Sequence, residues 1–264
     1  MDGGSVPGAE QMGEEMNCWK KFDKVFTLAF TGLPDRARLL DAELERVGLK
    51  AERIWQFPTP YDRAIQSVVW CGGGMQCIPY FNSGMGHYRA VKTAYELGAR
   101  TCLILEDDIR FLKDLNRLEE TVDSTPEDWS VALLDVLKAD KDPISIVQRS
   151  VLQDHVNPHW CRSWGNPRSF GCYALTRPAM EWLIGRIENP VLHPGEIKLI
   201  NVDLSLRQDR VAPGLNIYYA APNAAIQVCI GDGNFNSAKG NLNKYYDFYR
   251  AIGVKIEDYA EAGG

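Results

Sequence analysis

The sequence predicts an α/β fold, a mostly parallel sheet covered by helices on both faces. Three observations carry this. Short apolar, β-rich runs alternate with amphipathic segments of helical period along the chain. Glycine and proline punctuate the changes between them. One apolar run, TCLILEDDIRF at 101–111, ends in three consecutive carboxylates, a pattern expected where a buried strand reaches the edge of its sheet.

In chain order, KVFTLAF at 24–30 reads as the first strand and TGLPDR as a turn. Arg36–Val47 then has Leu39, Leu40, Leu44 and Val47 on one helical face, with Gly48 as its stop. Lys50–Phe57 reads as a strand closed by Pro58 and Pro60. Residues 58–82 carry no clear element, and Cys71-Gly72-Gly73-Gly74 lacks the lysine and hydroxyl of a phosphate loop. Ser83–Leu97 is expected as a helix ended by Gly98, Thr101–Leu105 as a strand, Phe111–Thr121 as a helix and Ser130–Val136 as a strand. Residues 138–167 are polar and irregular, a length that points to a functional loop. Ser169–Thr176 is a strand, Arg177–Ile187 a helix with Pro178 near its start, Asn201–Gln208 a short helix, Asn216–Ala220 a strand and Asn241–Ile252 a last aromatic-rich helix. No repeat or linker divides this series, so 1–16 is expected as a flexible extension and 17–264 as a single domain.

The totals set outer bounds. A chain of 264 residues with 45% hydrophobic and 24% charged residues can build a full core without staples. A net charge of −6 argues against a nucleic-acid partner, which asks for a basic face. The seven cysteines are scattered without zinc spacing, and the expectation is buried thiols in a reducing compartment. The two histidines of HVNPHW, His155 and His159, are four apart, but Pro158 breaks the helix that would put them on one face. The N-terminal MDGGSVPGAEQMGEEMN has no apolar core for a signal peptide, and no run of 18 apolar residues occurs; a cytoplasmic protein without an integral membrane segment is expected.

Ligands of open α/β sheets bind beyond the C-terminal ends of the strands, where Glu106, Asp107 and Asp108 fall. Adjacent carboxylates repel and raise one another's pKa unless a cation compensates them. Mg²⁺ or Mn²⁺ is the natural compensator, commonly held by one or two carboxylates together with substrate phosphates. A plainly solvated, acidic strand end is the competing reading. Thr31 and Arg36 follow the first strand, where a nucleotide commonly rests; Arg36 is read either as a base or phosphate contact or as a residue pairing with Asp35 or Glu43. His87 and Arg89 lie near the expected start of a helix whose positive end suits a diphosphate, while His87 also fits a bracing role at the acidic strand end.

Several of these segments together resemble glycosyltransferase family 25, which includes lipooligosaccharide and collagen galactosyltransferases. FTLAFTGLPDRARLLDAELERVGL resembles that family's opening strand, arginine-containing turn and helix. GMGHYRAVKTAYELGARTCLILEDDIRF resembles its glycine-rich, histidine-bearing helix and acidic strand end. SFGCYALTRPAMEWLI, NVDLSL and NIYYAAPNAAIQ are similar to its later strand and helix, its aspartate segment and its late strand. The five keep the family's order across residues 25–227, with Gly86 where the family has serine. The resemblance implies a GT-A-type, Rossmann-like fold and a metal-dependent, inverting transfer from a UDP-sugar, galactose or glucose, to a hydroxyl. The acceptor would be a glycan, a lipid-linked sugar as in lipopolysaccharide biosynthesis, or a protein. Glu106 would face the ribose or the metal's waters, and Asp108 would bind Mn²⁺ or Mg²⁺. Asp107 would point to the face opposite Glu106 and Asp108, because neighbouring strand residues alternate between faces.

Inversion also asks for a base away from the metal ligands. Asp203, between apolar Val202 and Leu204, is the candidate; an N-cap of the helix that follows is the alternative. Gln227 is a candidate donor contact or a plain strand-end side chain, and Asp232 or Ser237 a further metal ligand or plain loop residues. Trp160, Trp164, Phe170 and Tyr173 would either stack on an acceptor sugar or pack in the core. Two other functions share this sheet: a nucleotidyltransferase, disfavoured by the single glycine of TGLPDR, and a catalytically inactive binding or adhesion module, disfavoured by the retained acids.

Overall fold

The computed structural model describes residues 16–31, 33–56, 77–136, 155–162, 171–189, 214–228, 249–250 and 254–259, with side chains in all of these but 77–82. Its strands are β1 (Lys24–Phe30), β2 (Glu52–Gln56), β3 (Thr101–Glu106), β4 (Ile109–Phe111), β5 (Val131–Leu133), β6 (His155–Asn157), β7 (Trp160–Arg162), β8 (Cys172–Thr176), β9 (Ile217–Ala220) and β10 (Ala225–Gln227). Its helices are α1 (Pro34–Arg46), α2 (Cys77–Glu96), α3 (Leu115–Asp123) and α4 (Arg177–Glu188).

Among the described residues, eight strands form one sheet in the order β2-β1-β3-β8-β5-β9-β7-β6, and β4 pairs with β10 beside it. β1 lies parallel to β2 and β3, and β5 to β9, while β8 runs against both β3 and β5 and β7 runs against β9 and β6. Six of the eight strands therefore share one direction, with β7 and β8 reversed.

Both faces are buried, as the apolar β3 run requires. Leu103 and Leu105 pack with Leu40 and Leu44 of α1 and with Leu118 and Val122 of α3. Cys102 and Ile104, on the opposite face, pack with Ala90, Val91 and Ala94 of α2 and with Met180 and Leu183 of α4. Cys18, Cys102, Cys161 and Cys172 are buried free thiols, and burial pushes Cys102 up to about 12. They behave as small apolar residues.

Four expectations are corrected. α1 starts at Pro34, whose ring suits a first helical position, and α2 starts at Cys77, six residues before Ser83. Phe111–Thr121 is not one helix: 109–111 is a strand, and the helix begins at Leu115, capped by the Asp114 carboxylate, which accepts from Asn116 N at 3.1 Å and Arg117 N at 3.2 Å. Inside 138–167, residues 155–162 form the β6–β7 hairpin with Pro158 and His159 at its turn. The helix expected at 201–208, and all but two residues of the one expected at 241–252, lie outside the described residues.

Candidate functional site

The site is built where β3 ends. Glu106 is its last residue, paired with Leu28 of β1 and donating its N–H to Gly171 O at 2.7 Å. Asp107 and Asp108 form a turn, and the chain then leaves the main sheet as β4. The alternation expected of a strand therefore stops at Glu106, and the two aspartates meet the same partner. Arg36 Nη2 lies 2.5 Å from Asp107 Oδ1 and 2.8 Å from Asp108 Oδ2. Neither Asp35 nor Glu43 takes Arg36, contrary to the pairing offered from sequence. Asp35 is bonded by Arg38, and Glu43 by Arg46.

One face of α1 holds this turn. Two helical turns after Arg36, Glu43 Oε1 accepts the Phe111 N–H at 2.7 Å, and Arg46 donates to the Phe111 and Leu112 carbonyls at 3.2 and 3.1 Å. Glu43 is buried and satisfied by this pairing. The opposite side of the turn is held by β10. Its antiparallel register sets Gln227 against Ile109, and Val228 N donates to Asp108 O at 2.7 Å. Gln227 Nε2 consequently reaches Glu106 Oε2 at 2.5 Å and Asp108 Oδ1 at 3.4 Å.

His87 arrives from α2. Its Nε2 lies 3.1 Å from Glu106 Oε1 and its Nδ1 3.0 Å from the Tyr173 hydroxyl. Both carboxylate oxygens of Glu106 thus have a partner, His87 on one and Gln227 on the other. The helix-start reading of His87 is corrected: α2 begins at Cys77, ten residues earlier, and a helix dipole acts within its first turn. His87 braces the acidic strand end instead. Arg89, two residues on and about 200° around the helix, is exposed and not among the groups gathered here. Thr31 is exposed as well, tying β1 to β2 through its N–H and hydroxyl, which donate to Gln56 O at 3.1 and 3.2 Å.

Two glycines make room. A Cβ on Gly86 would lie 2.2 Å from Gln56 Nε2, so the buried Gln56 side chain crosses α2 at that position. A Cβ on Gly171 would lie 2.6 Å from Gln227 Cγ and 2.8 Å from Ile109 Cδ1. Gly171→Ala should push Gln227 off the carboxylates. An overpacking cost of about 1–3 kcal/mol would lower the melting temperature by several degrees, read by thermal denaturation.

Electrostatically, three carboxylates meet one guanidinium. Burial pushes the Asp108 carboxyl up to about 7, against the pull of Arg36 and with the repulsion of Glu106 and Asp107. Asp107 is raised too, chiefly by burial, although Arg36 and the Phe30 backbone hold it down. Excess negative charge among hard oxygen donors fits a divalent cation held by one or two carboxylates and completed by phosphate oxygens and water. Among the described residues, no three His, Cys, Asp or Glu side chains converge closely enough to chelate an ion by themselves.

The remaining candidates separate. Trp160 is fully buried, its indole N–H donating to Thr121 O at 2.7 Å, and Tyr173 is fully buried against His87; both are core residues rather than exposed sugar platforms. His155 Nδ1 lies 3.3 Å from Cys161 Sγ and His159 Nδ1 lies 3.4 Å from the Thr121 hydroxyl, away from the carboxylates. Asp203, Asp232, Ser237, Trp164 and Phe170 lie outside the described residues. Two buried partners were missed from sequence, Asp135 and Tyr249; a single acid after an apolar strand and a tyrosine in an expected helix carry no local signal.

No protein-family model matches the chain, and no curated protein sequence does. Similar solved structures include a glycosyltransferase involved in glycosylating the major capsid of PBCV-1, at 10% identity and TM-score 0.38, covering 88% of this chain and 100% of that one. Another is the glycosyltransferase GlyE of Streptococcus pneumoniae TIGR4, at 12% and 0.40, covering 87% of this chain and 61% of that one. A third is the galactosyltransferase LgtC in complex with donor and acceptor sugar analogues, at 11% and 0.36, covering 89% and 98%. At this distance the side chains at the strand ends carry the functional assignment.

Proposed function

We propose that the chain is a metal-dependent glycosyltransferase, of the kind represented by family 25, which moves a hexose from a UDP-sugar to an acceptor hydroxyl with inversion. The observation that carries this reading is the meeting of Glu106, Asp107 and Asp108 with Arg36, His87 and Gln227 beyond the C-terminal end of β3. Asp108 and Glu106 would hold Mn²⁺ or Mg²⁺. The bound cation supplies Lewis-acid stabilisation of the charge that builds on the departing diphosphate.

The chain's own residues do the rest. His87 and Gln227 fix the two oxygens of Glu106, so this carboxylate meets the donor in one orientation. Arg36 offsets part of the charge of Asp107 and Asp108 and keeps the turn closed. Asp203 takes the proton of the acceptor hydroxyl as its oxygen attacks the anomeric carbon from the face opposite the diphosphate, and UDP leaves. The acceptor is a hydroxyl of a glycan, a lipid-linked sugar or a protein. No helix among the described residues is long and apolar enough to cross a membrane.

The test is release of UDP from UDP-galactose and UDP-glucose with Mn²⁺ or with EDTA. Metal-dependent release of UDP is expected from one of them. No release from any UDP-sugar, with a panel of sugar and peptide acceptors present, would favour the non-catalytic module.

A further inference from the structure

Asp135 belongs to none of the roles above. It follows β5, is fully buried, and its Oδ1 accepts the Tyr249 hydroxyl at 2.7 Å. Tyr249, also fully buried, accepts in turn the backbone N–H of Gln227 at 2.8 Å. Gln227 is the residue whose amide reaches Glu106 and Asp108. A continuous path therefore runs from the end of β5 through one phenol and one peptide group to the acidic strand end.

The path is anchored at its far side. Asn223 Nδ2 lies 3.4 Å from Asp135 Oδ1 and 3.2 Å from Val136 O, and the Tyr259 hydroxyl donates to Asn223 O at 2.6 Å. Two aromatic residues from the C-terminal part of the chain thus dock on the segment 223–227. A buried carboxylate is costly unless it is hydrogen-bonded. Core packing at this corner could be met by apolar side chains, yet polar groups are used, and those of one arm end on Gln227. Gln227 itself is confined between Gly171, which leaves no room for a Cβ, and the two acids.

We propose that Asp135 and Tyr249 are positioning residues for the nucleotide–metal site: by fixing the Gln227 peptide they set where its side-chain amide meets Glu106 and Asp108. The proposal rests on the transferase reading for its functional consequence, and on the hydrogen-bond path alone for its geometry. Gln227 is one step removed from the acids, and partners at that distance typically change metal affinity by about 10–100-fold when removed; Tyr249 acts through Gln227, so the low end of that range is the expected effect of its loss.

The experiment uses the full chain and the isosteric Tyr249→Phe, with Asp135→Asn and Asp135→Ala beside it. Binding of UDP is titrated in Mn²⁺ and in EDTA, and exchange of the Gln227 amide with deuterium is followed by mass spectrometry. Tyr249→Phe should weaken Mn²⁺-dependent UDP binding about tenfold, leave binding in EDTA unchanged and accelerate exchange at Gln227. Asp135→Asn, which keeps an acceptor for the phenol, should retain more of the affinity than Asp135→Ala. A merely structural tyrosine would lower the melting temperature and leave the ratio of the two Kd values unchanged. Equal Mn²⁺-dependent affinity in wild type and Tyr249→Phe overturns the proposal. If the wild type takes up no UDP in either condition, the transferase reading fails and the nucleotide–metal role fails with it, whereas wild-type UDP binding that keeps its full Mn²⁺ dependence in Tyr249→Phe overturns the positioning role alone.

Discussion

Asp108→Ala is expected to abolish metal-dependent nucleotide binding while leaving a folded protein. Asp108 is buried, shares Arg36 with Asp107 and accepts from Gln227. Its carboxyl is pushed up to about 7 because burial and two neighbouring acids outweigh the pull of Arg36. Such a group is poorly compensated in the protein alone and gains most from a cation. Removing it deletes one hard oxygen ligand, and at least about 100-fold in affinity is the expected loss, above the effect of removing an outer partner. The fold should tolerate the change, since Arg36 keeps Asp107 and no buried guanidinium is stranded. Calorimetric titration with UDP and Mn²⁺ checks this. Wild-type affinity in the variant would take the metal role away from Asp108.

Asp203→Asn should do the opposite, sparing donor binding and stopping transfer. A general base that takes the acceptor proton contributes roughly 10²–10⁴-fold to the rate, and the isosteric amide cannot accept that proton in its place. UDP affinity should be unchanged and kcat should fall by that factor, in a transfer assay using the acceptor that supports turnover. Full transfer by Asp203→Asn would remove the base role and leave the helix-capping reading of this residue.

What could be read in the sequence, and what could not, follows the range of the interactions. TCLILEDDIRF is a local pattern, so both the buried strand and the carboxylates at its end were legible. The alternation of strands and helices was legible for the same reason. The reversed direction of β8 was not, because strand direction depends on which neighbours a run meets. Ile109–Phe111 is too short to show a period, and its strand character comes from pairing with β10, whose Ile226 stands opposite Arg110, 116 residues earlier in the chain. That pairing is also what brings Gln227 to the site. Arg36 was legible as a candidate base or phosphate contact, but its protein partners were sought within its own helix, and tertiary packing put it on Asp107 and Asp108. His87 was legible as a brace and misread as a helix-start residue, because α2 extends back through Pro79, which a first turn accepts.

The central claim is that the β3 end receives a nucleotide diphosphate together with a divalent cation. The most direct test is thermal denaturation of the full chain with UDP in the presence of Mn²⁺, Mg²⁺ or EDTA. A ligand that binds only the folded state raises the melting temperature by mass action. The expected result is a UDP-dependent rise with Mn²⁺ or Mg²⁺ that disappears with EDTA and in Asp108→Ala. The same melting temperature with and without UDP, in all three conditions, would contradict the claim.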